Sequence, residues 1–242
     1  SPIMSNSESI NQFGNNAYGK PCTALNILRE TVMGPELFDH AFKTYSNRWM
    51  FKHPSPADLF RTMEDGSAVD LDWFWRGWFY TTDHCDVAMT GVKEYRLKFN
   101  QPNEGTSKKK VSKMVKKQTK LGEFDPILQS IARAEDPAKA YELVKGKVTD
   151  TRKDKLNENA YFYQVDLKMI GGLVMPVIFK LDYADGTSKE VRIPAEIWKM
   201  QNEGLTETVS KVLISNQEIT KITLDPNLET ADTDTTNNVW VK

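Results

Sequence analysis

Three histidines (His40, His53 and His84) and two cysteines (Cys22 and Cys85) are the chain's only imidazole and thiol ligands. A zinc site assembled locally needs such side chains at a spacing that turns them to one point, as in H-E-x-x-H on a helix or C-x-x-C in a knuckle. Neither pattern occurs. His84-Cys85-Asp86 sets three ligand types in a row, but consecutive side chains rarely converge on one ion, so the segment reads as a loop after a tryptophan-rich helix. His40 stands beside an aromatic stripe and reads as a packing or surface histidine. There is no glycine-rich phosphate loop, no G-x-S-x-G and no Ser/His/Asp spacing of a nucleophilic hydrolase.

Charge offers two further chemistries. From Asp225-Pro226 to Asn238, the residues Glu229, Asp232, Asp234, Asn237 and Asn238 could offer oxygens to calcium, but not in EF-hand order; an ordinary solvated loop is the expected reading. Lys108 to Lys120 holds seven lysines in thirteen residues, which could bind nucleic acid or an anionic membrane. No aromatic side chain interleaves them to stack on bases, and the flanking segments are acidic. A solvated linker or insertion helix is therefore expected.

The elements that must position these groups follow from composition and period. The net charge of −1 is made of unlike blocks. Residues 1–90 carry 7 basic and 11 acidic side chains, residues 91–155 carry 17 and 9, and residues 156–242 carry 8 and 13, giving −4, +8 and −5. Such asymmetry marks separate modules. With 39% hydrophobic and 10% aromatic residues, the 242-residue chain can build a core of one or two domains. No apolar run approaches the roughly 20 residues of a membrane span. No hydrophobic signal segment opens the chain, so a cytosolic, processed or excised polypeptide is expected. Two cysteines cannot form a disulfide framework.

The first third predicts helices. Pro21 suits a first helical position, with Ala24, Leu25, Leu28 and Val32 following at helical spacing. Gly34-Pro35 ends that helix and starts another, whose stripe is Phe38, Phe42, Tyr45 and Trp49, beside Leu37 and Ala41. Ser55-Pro56-Ala57-Asp58 is a capping box opening a helix with Leu59, Phe60 and Met63. Asp70 caps a last helix with Leu71, Phe74, Trp75 and Trp78. The aromatic set Trp49, Phe51, Phe60, Trp73, Phe74, Trp75, Trp78, Phe79 and Tyr80 reads as core, save any members that a partner domain covers.

In the middle, alternation predicts a strand over Val92–Phe99, and Asp136-Pro137 caps a short helix through Val144. The last third alternates with period two over Tyr161–Met169 and again from Val177 to Tyr183. Asp185-Gly186 marks a hairpin into Val191 and Ile193. Val209–Ile214 and Ile219–Leu224 read as another pair around Ser215-Asn216. The prediction is α+β: an all-α N-terminal part (1–90), a basic, partly helical connector (91–155), and an immunoglobulin/fibronectin-like β-sandwich (156–242).

One ordered set of motifs goes further. Tyr18-Gly19-Lys20-Pro21-Cys22-Thr23-Ala24-Leu25-Asn26-Ile27-Leu28 resembles the Y-x-K-G-a-x-x-L-x-x-L segment of the aminopeptidase N-like zinc metallopeptidases, the gluzincins. Met33-Gly34-Pro35-Glu36-Leu37-Phe38 resembles that family's helix junction. His53-Pro54-Ser55-Pro56-Ala57-Asp58-Leu59-Phe60, with Met63-Glu64-Asp65, resembles its next helix. Asp70-Leu71-Asp72-Trp73-Phe74 and Trp78 resemble its closing D-L-x-x-F-x-x-W. Order and spacing over residues 14–90 carry the resemblance. Gly171–Pro176, Ile193–Trp198 and Leu224-Asp225-Pro226 resemble the β-sandwich that follows in bacterial members.

The resemblance implies a zinc aminopeptidase that hydrolyses N-terminal peptide bonds. Its zinc, held by two histidines and a glutamate, activates water, and the glutamate of H-E-x-x-H is the general base. By motif position, Tyr18 is the tyrosine whose hydroxyl stabilises the tetrahedral oxyanion opposite the metal. Gly19, Pro21 and Cys22 depart from the family's common acidic residue, glycine and alanine. In the family the zinc motif and the amine-recognition motif lie upstream, whereas only seventeen residues precede Tyr18 here. The expectation is a C-terminal portion of a larger peptidase, without catalytic zinc or turnover of its own. Its partners would be the upstream catalytic domain and, in the parent, a peptide substrate, with no nucleic acid and no membrane span. The compartment is not fixed by the sequence; the resemblance implies an exported or periplasmic bacterial parent. Two alternatives stand beside it: a non-catalytic interaction scaffold of the same fold, and an anion-binding module acting through Lys108–Lys120.

Overall fold

The computed structural model describes residues 1–96, 160–199 and 207–242. Among these residues four α-helices come first: α1 (Lys20–Ile27), α2 (Pro35–Trp49), α3 (Pro56–Ser67) and α4 (Asp72–Tyr80). Seven strands follow among the described residues: β1 (Val87–Arg96), β2 (Tyr161–Met169), β3 (Val177–Tyr183), β4 (Ser188–Ile193), β5 (Thr208–Ser215), β6 (Ile219–Leu224) and β7 (Val239–Val241). The fold is α+β, with the helices preceding antiparallel sheets. The lysine-rich stretch Lys108–Lys120 and the helix expected from Asp136 lie outside the described residues. Among the described residues no helix is long and apolar enough to cross a membrane.

The first helix differs from its expected form. Pro21 does not start it: helical backbone runs from Asn15 to Met33, with α1 between wider π-type turns at Asn15–Gly19 and Leu28–Met33. A proline inside a helix lacks one N–H and crowds the turn before it. The wide turn ahead of Pro21, closed by the Lys20 N–H on the Asn15 carbonyl, relieves that crowding. Ala24 and Leu28 are fully buried. Gly34, at φ +85°, then turns the chain into Pro35 at the start of α2.

On α2 the buried line runs through Phe38 and Ala41, not along the whole expected stripe, and Phe42 is exposed. The reason is the neighbouring helix. A Cβ on Gly66 would stand 3.1 Å from the Ala41 Cα, so α2 and α3 meet at their two smallest residues. The α3 start is as expected: Asp58 Oδ2 accepts from the Ser55 N–H (2.8 Å) and hydroxyl (2.7 Å). At α4 the cap position is Leu71 rather than Asp70. Asp70 Oδ1 accepts the Asp72 N–H, and Glu64 Oε1 accepts the Leu71 N–H.

The aromatic set divides. Phe60, Phe74, Trp75, Trp78 and Phe79 are buried, with Phe60 stacked on Trp75 at 4.6 Å. Tyr80 is half exposed and Phe51 is 99% exposed.

The sheets have orders β1-β2-β5 and β4-β3-β6-β7, every pairing antiparallel. Tyr163, Val165 and Leu167 share one core with Phe179, Leu181 and Ile222, and Tyr163 meets Trp240 edge-on, so three strands pack over four. The β3–β4 hairpin turns at Asp185-Gly186, with Gly186 at φ +83°. Strand β1 starts at Val87, five residues before its expected start, so the boundary expected at residue 90 falls inside it. Strands β5 and β6 do not pair with each other as expected. β5 joins β2, whereas β6 joins β3 and β7. The link between them crosses the sandwich, where the Ile219 N–H donates to the Tyr163 hydroxyl (2.9 Å) and the Ala184 N–H to the Glu218 carbonyl.

The helices and the sandwich share one core. Its buried side chains run from Ala24, Leu28 and Met63 through Cys85 and Val87 to Ile222 and Leu224. Gly171 seals the junction: a Cβ there would sit 2.2 Å from the His84 carbonyl oxygen, so the strand end can approach only without a side chain.

Candidate functional site

Tyr18 sits in the π-type turn before α1, on a segment anchored at both ends. Upstream, Gln12 turns at φ +52°, and its carbonyl accepts from the Asn15 and Asn16 N–H groups, while the buried Asn16 donates to the Asn11 carbonyl at 2.6 Å. Downstream, Lys20 Nζ reaches 3.0 Å to the Thr81 carbonyl at the end of α4. Burial lowers the Lys20 pKa, offset in part by Asp83. This tether holds α1 against the last helix. The Tyr18 side chain is 67% exposed, and its ring rests edge-on against Phe13 at 5.8 Å. A phenol so placed can donate its hydroxyl to an oxyanion brought to that face.

The structure does not gather the histidines around it. His40 is on α2, His53 in the α2–α3 link and His84 between α4 and β1, all three exposed. A zinc held by two histidines and a glutamate does not fit these residues, since no histidine belongs to a converging group of ligands among the described residues. Cys22 is exposed and accepts a long contact from Asn26 Nδ2.

His84-Cys85-Asp86 is structural, as its loop reading implied. Cys85 is buried in the junction, bridging to Asp232, and its thiol is pushed up to about 12, by burial first and then by the nearby Asp232. The 225–238 loop uses its carboxylates on its own backbone and on β4, where both Glu229 oxygens accept from the Arg192 guanidinium at 2.8 Å. Asp225 accepts from the Glu229 and Thr230 N–H groups and the Thr230 hydroxyl. Asp232 accepts from the Asp234 N–H and from Asn238 Nδ2, and Asp86 accepts from Asn237 Nδ2. The amide oxygens of Asn237 and Asn238 are buried without a protein partner, yet no three acidic ligand atoms of this loop lie within 4.8 Å of one another.

Among the described residues one group of carboxylates does converge, and sequence reasoning did not find it: Glu64, Asp70 and Asp72, with oxygens within 4.8 Å of one another. Its members are six and two residues apart, and the α3–α4 turn brings them together. Glu64 is pushed above its ordinary value, chiefly by burial and then by Asp72 and Asp70, against the Leu71 N–H that lowers it. Asp70 Oδ2 faces Lys199 at 3.4 Å. These contacts make the group a cap for α4 and a tether to the sandwich.

No protein-family model matches the chain. No curated protein matches it either. Among solved structures it is similar to the aminopeptidase A of Legionella pneumophila in complex with aspartic acid, at 11% identity and a TM-score of 0.48. The match covers 90% of this chain and 17% of that one, so the chain spans about a sixth of that protein's length. A likeness at this level transfers no residue roles.

Proposed function

We propose that the chain is the C-terminal part of a zinc-dependent aminopeptidase, in which Tyr18 stabilises the tetrahedral oxyanion. The observation that carries this reading is the Tyr18 phenol, presented to solvent from a helical segment pinned by Asn16 and Lys20. The ordered motif set over residues 14–90 supplies the family. Two modules of the parent then divide the work. In this reading the metal and the general base come from other residues of the parent; among the described residues no histidine belongs to a converging group of ligands. This chain supplies the oxyanion donor and a rigid base for it.

The role asks little of Tyr18 beyond placement. A neutral O–H aimed at developing negative charge in a water-poor cleft stabilises the transition state more than the ground state. The helix fixes its direction before substrate arrives. The helices and the sandwich, joined by their shared core, act as one unit in this reading, and the chain alone is expected to be inactive.

The test has two arms. The chain as given, incubated with zinc, is expected to turn over no aminoacyl amide; stoichiometric zinc with turnover would overturn the fragment reading. In the parent, Tyr18→Phe is expected to lower kcat by about 100- to 1000-fold with KM little changed.

A further inference from the structure

The link between α2 and α3 carries an aromatic side chain that the fold does not use. Trp49 to Lys52 form a tight turn, closed by the Lys52 N–H on the Trp49 carbonyl at 2.9 Å. Met50 has φ −51° and ψ 129°, and Phe51 has φ +59°, the third position of a type II turn. Glycine belongs there, because a side chain in the left-handed region is strained. Phe51 is nonetheless a large apolar residue and 99% exposed, with Met50 beside it 54% exposed. Folding gains nothing from this ring and bears the strain of its backbone.

Its surroundings are basic. Residues 40–57 contain no aspartate or glutamate, although the first ninety residues are net acidic. They contain Lys43, Arg48 and Lys52, with His40 and His53, all exposed. Aspartates bound the segment at Asp39 and Asp58, and Asp39 interacts with Lys43. Arg48 turns toward α3, donating to the Thr62 hydroxyl at 3.3 Å and meeting Asp65 at 3.7 Å, while Lys52 Nζ donates to the Arg48 carbonyl at 2.9 Å. The Arg48–Asp65 pair is exposed and too open to neutralise the guanidinium. Behind the tip stand the half-buried Trp49 and Tyr45. Lys52 Nζ lies 6.0 Å from the Trp49 ring.

We propose that this tip docks the protein on an anionic lipid surface, with Phe51 and Met50 entering the headgroup region and Arg48, Lys52 and Lys43 facing lipid phosphates. An exposed apolar turn tip with exposed cations on the same turn and the adjoining helix matches a bilayer interface, which yields around a wedge and carries negative charge. A stable protein contact needs a complementary patch of about 800 Å² per partner, and two side chains at a turn do not provide one. Single-stranded nucleic acid needs successive aromatic faces along a groove.

The experiment uses the full chain, sedimented with vesicles of phosphatidylcholine alone or with phosphatidylserine. Binding is expected on the anionic vesicles, weaker on the neutral ones, and reduced by salt. Phe51→Gly is expected to weaken anionic-vesicle binding about tenfold. The same variant is expected to leave the melting temperature unchanged or raise it, since glycine relieves the turn, so a folding defect is excluded in the same sample. Arg48→Glu with Lys52→Glu is expected to abolish the preference for phosphatidylserine. Neutralising Lys108–Lys110, Lys116 and Lys117 to glutamine controls for the lysine run. Four results would each overturn the proposal: no binding to anionic vesicles; wild-type binding by Phe51→Gly; binding lost only in the lysine-run variant; or, with no vesicle binding, a concentration-dependent dimer that Phe51→Gly dissolves.

Discussion

Tyr18 and Phe51 are both exposed aromatic residues, and their backbones distinguish them. Tyr18 lies in helical backbone with anchors on either side, and its ring rests edge-on against Phe13. Phe51 lies at a strained tip. Other polar residues are explained by packing. Cys85 is buried, with its thiol raised to about 12, whereas Cys22 is exposed. A thiol-reactive disulfide reagent should therefore titrate one cysteine at once in the folded chain and the second only on unfolding; two fast thiols would contradict the buried junction. Glu64 gives a pH prediction. Burial raises its pKa in the fold, so ionising it costs stability as pH rises from its unfolded value, about 4.3, through its folded one. Glu64→Gln keeps an acceptor for the Leu71 N–H and should equal or exceed the wild-type melting temperature at pH 7. That advantage should vanish below about pH 4. A loss at pH 7 would mean that the carboxylate charge itself supports α4. The convergence of Glu64 with Asp70 and Asp72 was not legible in the sequence, because it depends on the path of the α3–α4 turn.

At the scale of elements, local signals were legible where one element decides its own shape. Gly34-Pro35 divides two helices, Asp185-Gly186 turns a hairpin, and Ser55 and Asp58 form a box, all as their residues dictate. They misled where a neighbour decides. Pro21 looks like a helix start, but a wide turn upstream lets the helix pass through it. The stripe on α2 ends early because Ala41 and Gly66 set the approach of α3. Strands β5 and β6 look like a hairpin by spacing, yet each finds a better partner in a different sheet. The capping box is testable. Ser55→Ala should cost about 1 kcal/mol at neutral pH, read by chemical denaturation. The Ser55 hydroxyl and N–H hold Asp58 below its ordinary value. The contribution of that carboxylate is thus present above its unfolded pKa and lost as pH falls through the folded one. The Ser55→Ala defect should shrink in acid by the same route; a pH-independent defect would place its origin elsewhere.

Across the whole molecule, charge blocks suggested separate modules, whereas the buried side chains form one cluster from α1 to β6. Thr31 Oγ1 donates to the Glu229 carbonyl and Thr233 N–H to the Cys85 carbonyl, stitching helices and sandwich together. Calorimetry should show the helices and sandwich melting in one transition, and two well-separated transitions would contradict a shared core. Such a unit makes a stiff base for a single donor at its surface, which is what the proposed role requires. The central claim is that Tyr18 acts on the transition state of a peptidase to which this chain contributes. The most direct measurement is steady-state turnover of an aminoacyl amide by the parent polypeptide with Tyr18 or with Tyr18→Phe. If Tyr18 donates to the oxyanion, Tyr18→Phe lowers kcat by about 100-fold or more with KM held within about twofold. An unchanged kcat would contradict it.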